Sequence, residues 1–340
     1  MSRAHPGPRN LITDVAGIRV GHATDPAALT GVTVILPDAR TIAACDVRGG
    51  APGTRETDAL DPTCLVEAVD AIVLSGGSVY GLDAASGVVQ LLGSRGRGFQ
   101  LPGSPLTTPV VPSAILFDLA NGGDKAWELE PPYRRLGMEA CVRAGTDFAL
   151  GNAGAGLGAR AGALKGGLGS ASTVLPSGVV VGALAAVNSA GSAVMPGTIT
   201  LWAGLFEQTG EMGGQVMPQG PVSLDWPENA KRPKEAVPGA NTTLAVVATS
   251  AALSPVEAKR VAIMAQDGFA RALRPVHTPF DGDVVFVLAT GAHALEEPRA
   301  LALSYLGMAA ADCVTRAIGR GVYEAESIGE WPSYRDHYGL

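Results

Sequence analysis

The sequence has little aromatic character and little charge. Of its 340 residues, 5% are aromatic and 17% are charged, whereas 46% are hydrophobic. Intrinsically disordered chains have the opposite balance, so a folded globular protein is expected. The net charge is −7, so the chain carries no excess of basic residues to attract nucleic acid or an anionic membrane. We therefore predict no nucleic acid and no membrane partner, and we expect small molecules or neutral polymers as substrates.

Cysteine is also scarce, which excludes several kinds of site. The chain has only four cysteines: Cys45, Cys64, Cys141 and Cys313. They form no C-x-x-C pair and have no histidine at ligand spacing, so neither a zinc site nor a disulfide framework is indicated. We expect buried free thiols, and we predict that the protein uses no metal and no cofactor.

Hydrophobic runs of membrane-spanning length are missing too. Residues 166–206 contain no charged residue, but their longest continuous apolar piece is "GVVVGALAAV". That piece is about half as long as the roughly 20 residues of a spanning helix, so buried strands explain it better. The N-terminal "MSRAHPGPRN" lacks the apolar region of a secretory signal, and we therefore predict a cytoplasmic protein.

Glycine and small aliphatic residues are abundant, and their arrangement predicts an α/β fold. Short β-rich runs open the chain, and "DAIVLSGGSVYGLDAASGVVQLLGSRG" follows as a strand, a glycine turn and a helix. In the C-terminal third, Thr242 opens a predicted strand. Ser254, Pro255 and Glu257 then form a helix start with a capping box, and a further strand and a long helix follow from Asp283.

The start of the predicted strand at Thr242 allows several interpretations. The sequence "PGANTTLAVVATS" at 238–250 is compatible with a polar turn before a strand, with two β-favouring threonines, or with a chance N-x-[ST] acceptor. A fourth interpretation is that the bond between Asn241 and Thr242 is cut. Residues 207–240 are dense in Pro, Gly and charge and predict an exposed, mobile connection, which would let the new chain ends separate.

Cleavage at this bond would solve a problem that the shortage of histidine creates. A hydroxyl needs a base to become a nucleophile, and none of the five histidines is placed in hydrolase order with Ser78. "GGSVYG" is not a G-x-S-x-G elbow, because Tyr80 takes the place of the final glycine. A residue at a new N-terminus carries its own base, an α-amine with a pKa of about 7.7–8.0. Thr242 is therefore a candidate nucleophile.

The glycine-rich segment "GNAGAGLGARAGALKGGLGSAS" is a second candidate site. Gly156, Gly158 and Ala161 match G-x-G-x-x-A, but the ribose-binding acid expected about 20 residues later is missing, which argues against a dinucleotide site. The glycines more plausibly let the backbone pass close to a site. Lys165 is the one amine of a carboxylate-free stretch; such a lysine is usually solvated, but this one is a candidate for partial desolvation and a functional role.

Three polar residues near predicted strand ends complete the set of candidates. Asn188 ends an apolar run, where it is either a turn residue or a side-chain amide that donates to a developing oxyanion. Asp281 and Asp283 flank Gly282 ahead of a strand. Asp-Gly is a turn signal by itself, although two carboxylates there could hold an ammonium group.

Taken together, these segments resemble the self-processing N-terminal-nucleophile hydrolases of DmpA type. That family includes an L-aminopeptidase/D-Ala-esterase, the β-aminopeptidases and the 6-aminohexanoate-oligomer endohydrolases. The resemblance covers nearly the whole chain and is carried by "ITDVAGIRVGHAT", "DVRGGAPGTRETDAL", "LSGGSVYGLDAASGV", "GNAGAGLGARAGALKGGLGSAS" and "GANTTLAVVATSAALSPVEAKRVAIMAQDGFARALRPVHTPFDGDVVF". It implies a four-layer αββα sandwich whose strand connectivity differs from that of other N-terminal-nucleophile hydrolases.

The resemblance also implies roles for individual residues. Thr242 matches the nucleophile, Asn188 the oxyanion-hole asparagine, and Lys165 a lysine beside the nucleophile in the nylon-oligomer branch. Asp281 and Asp283 match acidic residues of that branch that orient the nucleophile and support processing. In the aminopeptidase branch, serine typically replaces both the nucleophile and the first of these acids, so the chain resembles the amidase branch more. One departure is that a phenylalanine, Phe117, stands where the nylon-oligomer enzyme has a site tyrosine, which leaves substrate placement open.

We therefore predict a single hydrolase domain, 1–340, that cuts itself into chains 1–241 and 242–340. The mature enzyme would hydrolyse amides, either small molecules or oligomers, through an acyl-enzyme on Thr242, and the resemblance implies a homo-oligomer of processed protomers. Two alternatives remain: acyl transfer to an amine, as in ornithine acetyltransferases, and an unprocessed binding protein without activity.

Overall fold

The computed structural model describes residues 3–231 and 241–340, which form two large β-sheets covered by helices and two small two-stranded sheets. The strands are β1 (Ile18–Asp25), β2 (Thr30–Pro37), β3 (Thr41–Val47), β4 (Thr54–Arg55), β5 (Ala68–Val69), β6 (Ile72–Ser75), β7 (Phe99–Gln100), β8 (Thr107–Thr108), β9 (Ser113–Ile115), β10 (Arg160–Ala161), β11 (Leu164–Lys165), β12 (Leu168–Val174), β13 (Val180–Asn188), β14 (Thr242–Ala251) and β15 (Val284–His293). The α-helices are α1 (Asp83–Ser94), α2 (Tyr133–Val142), α3 (Pro255–Ala265), α4 (Asp267–Ala272), α5 (Arg299–Tyr323) and α6 (Tyr334–Tyr338). The two small sheets are β7-β8 and β10-β11. The predicted Pro-Gly turn at 238–239, with the rest of 232–240, lies outside the described residues.

The two large sheets differ in how their strands are joined. One has five strands in the order β1-β2-β6-β9-β4, and the other has six in the order β12-β13-β14-β15-β3-β5. In the second sheet β14 lies between β13, to which it is antiparallel, and β15, to which it is parallel. The parallel pair is possible because α3 and α4 provide the crossover connection that parallel neighbours need. All ten residues of β14 are buried, as expected for a central strand covered on both faces.

Three apolar cores separate four layers. The first lies between the two sheets and includes Ile35, Leu74 and Phe286. The second lies between the five-stranded sheet and the helices α1 and α2, and the third between the six-stranded sheet and the helices α3, α4 and α5. Burial of apolar surface on both faces of each sheet is the main favourable term for such a fold. The predicted αββα sandwich is confirmed.

Local signals in the C-terminal third led to the correct elements. Ser254 precedes α3 and its hydroxyl accepts a hydrogen bond from Glu257 N, while the Glu257 carboxylate accepts one from Ser254 N at 2.8 Å. This reciprocal pair satisfies two amide groups that a helix start leaves without partners. The long helix α5 is apolar and long enough to cross a membrane by length and composition alone, but it packs against β12 and β13 and is mostly buried.

The cysteines and the glycine motif at 156–161 were the subject of two sequence expectations. All four cysteines are free, and Cys45, Cys141 and Cys313 are buried, but Cys64 is exposed, so the prediction of four buried thiols was wrong for that residue. Cys64 lies in the long loop between β4 and β5. The glycine motif at 156–161 leads into the short antiparallel pair β10 and β11, not into the helix N-terminus that a dinucleotide site requires.

Candidate active site

Asn241 and Thr242 lie at the point where the six-stranded sheet begins its central strand. Both are almost completely buried, with 0% and 1% of their surface exposed. Thr242 Oγ1 donates a hydrogen bond to the Asn241 carbonyl oxygen at 2.5 Å, and Gly282 N donates to the same oxygen at 2.8 Å. The carbonyl between the two residues is therefore held by a hydroxyl on one side and by a backbone amide on the other.

Gly282 is a site residue that the sequence analysis treated only as part of a turn. A Cβ at this position would lie 2.6 Å from Thr242 Oγ1 and 2.9 Å from the Ala51 carbonyl oxygen, so only glycine fits without a shift. Ala51 belongs to the "DVRGGAPG" motif, and its amide donates to the Asp281 carbonyl oxygen at 2.8 Å. Backbone contacts from that motif therefore hold the 281–283 segment in place. The Asp-Gly-Asp sequence could have pointed to a role for Gly282, but a simple turn accounts for the same three residues.

The two predicted carboxylates face the start of β14 through different contacts. Asp283 Oδ1 accepts a hydrogen bond from Thr243 N at 2.8 Å, and its Oδ2 accepts from His277 N at 3.1 Å and lies 2.9 Å from His277 Nδ1. Asp281 accepts from Ala190 N, Thr278 N and Thr278 Oγ1. Burial, and then the nearby charge of Asp283, raises the pKa of the Asp281 carboxyl group.

Asn188 and Thr242 are direct partners in the antiparallel pair of β13 and β14. Asn188 Oδ1 accepts a hydrogen bond from Arg160 N at 2.9 Å, and its Nδ2 donates to the Phe117 carbonyl oxygen at 3.2 Å. The side-chain amide is thus oriented by two backbone groups from different segments. Phe117, the departure from the tyrosine pattern, contacts the site through its main chain.

Lys165 is buried, with 2% of its surface exposed, as the carboxylate-free sequence around it suggested. Its Nζ donates to the carbonyl oxygens of Gly156 at 2.9 Å and Gly166 at 2.5 Å. Burial lowers the pKa of the amine to about 7, against the opposing effect of the Asp118 charge. The residue reaches the other candidates indirectly, because it pairs with Arg160 in the β10–β11 ribbon and Arg160 N contacts Asn188. Among the described residues, no hydrogen bond joins Lys165 to Thr242 or to the two aspartates.

The arrangement contains a hydroxyl, a polarised carbonyl, an oriented amide, two carboxylates and an amine that titrates near neutral pH. These groups suit acyl transfer, in which a nucleophile attacks a carbonyl and backbone or amide N–H groups stabilise the oxyanion. Within residues 3–231 and 241–340, no group of three or more His, Cys, Asp or Glu side chains is placed to hold a metal ion.

Comparison with solved structures shows which class of protein has this fold. An L-aminopeptidase/D-Ala-esterase/amidase from Ochrobactrum anthropi, described as a variant of the N-terminal-nucleophile hydrolase fold, superposes with a TM-score of 0.70 at 21% identity. The superposition covers 99% of this chain and 94% of that structure. The fold is therefore that of the DmpA-type N-terminal-nucleophile hydrolases.

Sequence comparison then identifies the family. The model of peptidase family S58 matches residues 10–332. An uncharacterized aminopeptidase of Mycobacterium tuberculosis (strain ATCC 25618 / H37Rv) is 46% identical over 97% of this chain and 98% of its own length. A 6-aminohexanoate-oligomer endohydrolase of an Agromyces species (strain KY5R) is 30% identical over 84% of this chain and 76% of its own length. The chain belongs to peptidase family S58 and is a hydrolase that acts on peptide or amide bonds.

Proposed function

We propose that the protein cleaves itself between Asn241 and Thr242 and then hydrolyses amides with Thr242 as its N-terminal nucleophile. The products of the self-cleavage are chains 1–241 and 242–340. The observation that carries the proposal is the 2.5 Å contact between Thr242 Oγ1 and the Asn241 carbonyl oxygen, with Gly282 N on the same oxygen. A hydroxyl beside the carbonyl of its own preceding peptide bond is the geometry from which an acyl shift starts.

The self-cleavage step conserves atoms and protons in two stages. Thr242 Oγ1 attacks the Asn241 carbonyl carbon, and the Gly282 amide stabilises the resulting oxyanion. The C–N bond then breaks, the Thr242 nitrogen takes the hydroxyl proton, and an ester joins the two chains. Water hydrolyses the ester, which leaves a carboxylate on Asn241 and a free hydroxyl and α-amine on Thr242.

In the mature enzyme the new α-amine acts as the base for the Thr242 hydroxyl. The Asn188 amide, in register opposite Thr242, donates to the oxyanion formed from the substrate. Asp283 orients the start of β14 through Thr243 N, and Asp281 fixes the neighbouring segment through Ala190 N. Lys165 supplies an amine that exists in both protonation states near pH 7.

The substrates are amides, and the products are an acid and an amine. Relatives are named as aminopeptidases and as 6-aminohexanoate-oligomer endohydrolases. By resemblance, Thr242 and Asp281 match residues of the second group. A peptide N-terminus, a β-amino acid amide and an ω-amino acid oligomer are the three substrate classes to screen. The resemblance further supports a homo-oligomer of processed protomers, which light scattering of the native particle would test.

Denaturing mass analysis of freshly purified protein tests the cleavage. We expect two wild-type fragments that meet at Asn241/Thr242 and an intact chain for Thr242→Val. Thr243→Val is the matched control, because its hydroxyl is also buried but has no hydrogen-bond partner among the described residues. Thr242→Ser, which keeps a hydroxyl, should still cleave.

A second measurement separates hydrolysis from acyl transfer. Processed wild type is incubated with an amide substrate, with and without ornithine, and the products are identified. Free acid in both reactions supports the hydrolase, whereas an acylated ornithine would identify a transferase. A wild-type chain that stays whole, or steady hydrolysis by Thr242→Val, would refute the proposal.

A further inference from the structure

A second lysine, half-buried in the structure, contacts the side chain of the residue that precedes the bond proposed to be cut. Lys231 Nζ donates a hydrogen bond to Asn241 Oδ1 at 2.5 Å. Asn241 is the residue whose carbonyl accepts from Thr242 Oγ1, so the amine lies at the end of the side chain on the acyl side of that bond. No motif in the sequence singles out Lys231.

Lys231 is held by contacts that do not depend on Asn241. Its backbone N donates to the Ala190 carbonyl oxygen at 2.9 Å, and its carbonyl oxygen accepts from Trp226 Nε1 at 3.2 Å. Two residues earlier, the Asn229 carbonyl oxygen accepts from Ala163 N at 2.8 Å. The Ala190 and Ala163 contacts join this segment to the body of the protein, so the amine is expected to stay in place when the Asn241 end leaves.

Within the part of the chain that the structure describes, the surroundings of the Asn241 side chain supply a donor but no acceptor. Asn241 Nδ2 is buried and has no hydrogen-bond partner among residues 3–231 and 241–340. Lys231 makes no ion pair within that part of the chain, and the Asp281 carboxylate accepts hydrogen bonds from Thr278 N and from Ala190 N. Burial and the positive charge of Arg160 lower the pKa of the Lys231 amine to about 7, while Asp281 opposes the change. Among the described residues, Lys231 Nζ is a donor for the Asn241 oxygen, but the amide NH₂ has no acceptor. Such surroundings favour a side chain whose polar atoms are all oxygens.

This inference rests on the proposed function, in which self-cleavage and substrate hydrolysis use the same nucleophile. In both reactions Thr242 Oγ1 attacks a carbonyl, and the residue that carries this carbonyl lies on the acyl side. In self-cleavage that residue is Asn241, so its side chain marks a position beside Thr242 at which Lys231 meets the side chain of an acyl residue. We infer that Lys231 is a specificity-determining residue that selects acyl residues with a short side chain ending in an acceptor oxygen, a carboxylate before a carboxamide.

Three amides of nearly the same shape test this inference. The aspartyl, asparaginyl and leucyl p-nitroanilides have side chains of similar size and branching. The aspartyl side chain carries two acceptor oxygens, the asparaginyl side chain carries one oxygen and one NH₂, and the leucyl side chain carries no polar atom. Charge-assisted hydrogen bonds are stronger than neutral ones. We therefore expect kcat/KM of processed wild type to favour the aspartyl over the leucyl substrate by about 10- to 100-fold, with the asparaginyl substrate between them.

Variants at position 231 assign the preference to the amine. Lys231→Met should lose the preference for the aspartyl substrate while it retains activity on the leucyl substrate, and Lys231→Arg should keep the preference. Lys259→Met is the matched control, because the Lys259 amine contacts Asp46 and the Cys45 carbonyl oxygen, away from the site. The ratio of kcat/KM values within one variant is independent of how much of the chain has matured, so slow processing does not distort it.

The outcomes distinguish the two proposals. Hydrolysis by wild type without preference for the aspartyl substrate, or a preference that survives Lys231→Met, would overturn the inference and leave the proposed function intact. Processed wild type that hydrolyses none of these amides and none of the screened classes would overturn the proposed function and the inference with it. If Lys231→Met does not mature, the ratio of kcat/KM for the aspartyl and leucyl substrates in wild type and in Lys231→Arg decides whether the inference holds.

Discussion

The Gly282→Ala substitution is the sharpest test of the site geometry, because it adds one methyl group beside the nucleophile. The new Cβ would lie 2.6 Å from Thr242 Oγ1, whereas unstrained contacts are about 3.5 Å. The hydroxyl, or the Gly282 amide that binds the Asn241 carbonyl oxygen, must then move by roughly 0.9 Å. A misplacement of about 1 Å costs about 10²-fold in rate, which corresponds to about 2.7 kcal/mol in the barrier.

Cleavage of newly made chains measures the effect. Wild type and variant are synthesised in a cell-free system with a short label pulse, and conversion of the full-length chain into the two fragments is followed by denaturing mass analysis. We expect the first-order rate constant to fall about 100-fold in Gly282→Ala. Dilution of the sample should leave the rate constant unchanged, because the reaction is within one chain.

Gly93→Ala is the control for adding a methyl group to a glycine. Gly93 lies in α1, and its added Cβ would lie 3.9 Å from its nearest neighbours outside the helix, the Pro109 ring and the Thr107 carbonyl oxygen. This change should leave the cleavage rate unchanged and raise stability by up to about 1 kcal/mol, since alanine is the better helix former. Cleavage of Gly282→Ala at the wild-type rate, in a protein with normal thermal unfolding, would refute the geometric reasoning.

Three further predictions concern charge and stability. Burial lowers the pKa of Lys165 in the folded protein from 10.5 to about 7, so between pH 7 and 10 the unfolded chain binds more protons and stability increases with pH. Lys165→Met, made in the Thr242→Val background, removes this contribution. Urea titrations should therefore show that the free energy of unfolding rises less steeply with pH, by up to about 1.4 kcal/mol per pH unit. An equal slope in both proteins would contradict a buried, titrating amine. Glu211→Gln should cost about 3 kcal/mol in the same assay, because it leaves the buried Arg316 guanidinium without its ionic partner at 2.6 Å, and a loss below about 1 kcal/mol would argue against this pair. Ser254→Ala should cost about 1 kcal/mol through loss of the helix cap, and an unchanged unfolding midpoint would count against the cap.

The sequence was informative where a local rule acts on neighbouring residues. The capping box at Ser254 and Glu257 predicted the start of α3, and continuous apolar runs predicted the buried strands β13, β14 and β15. Such signals depend on hydrogen bonds and burial within a few residues, so they can be read from the sequence alone. The exposed Cys64 was missed because composition gives an average for a residue type and not the depth of one loop.

The candidate site could be predicted only in part. The residues Thr242, Asn188, Asp281 and Asp283 were identified, and the fold brings them together at one end of β14. Lys165 was identified as well, but its amine contacts backbone carbonyls of its own glycine-rich segment rather than the hydroxyl. The position of a long side chain depends on the acceptors that tertiary packing offers, and these acceptors are distant in the sequence.

What the sequence determined by itself is the kind of chemistry and the order of the elements. A chain short of histidine and cysteine, with a threonine at the head of a buried strand and carboxylates ahead of the next, limits how a hydroxyl can be activated. Only the tertiary structure decided which groups meet. The parallel pairing of β14 and β15 places Gly282 against the Asn241 carbonyl, and the segment before residue 232 places Lys231 against the Asn241 side chain. In each contact one partner, Gly282 or Lys231, was not marked as a site residue by the sequence, because a glycine amide and a lysine amine become specific only through what the fold sets beside them.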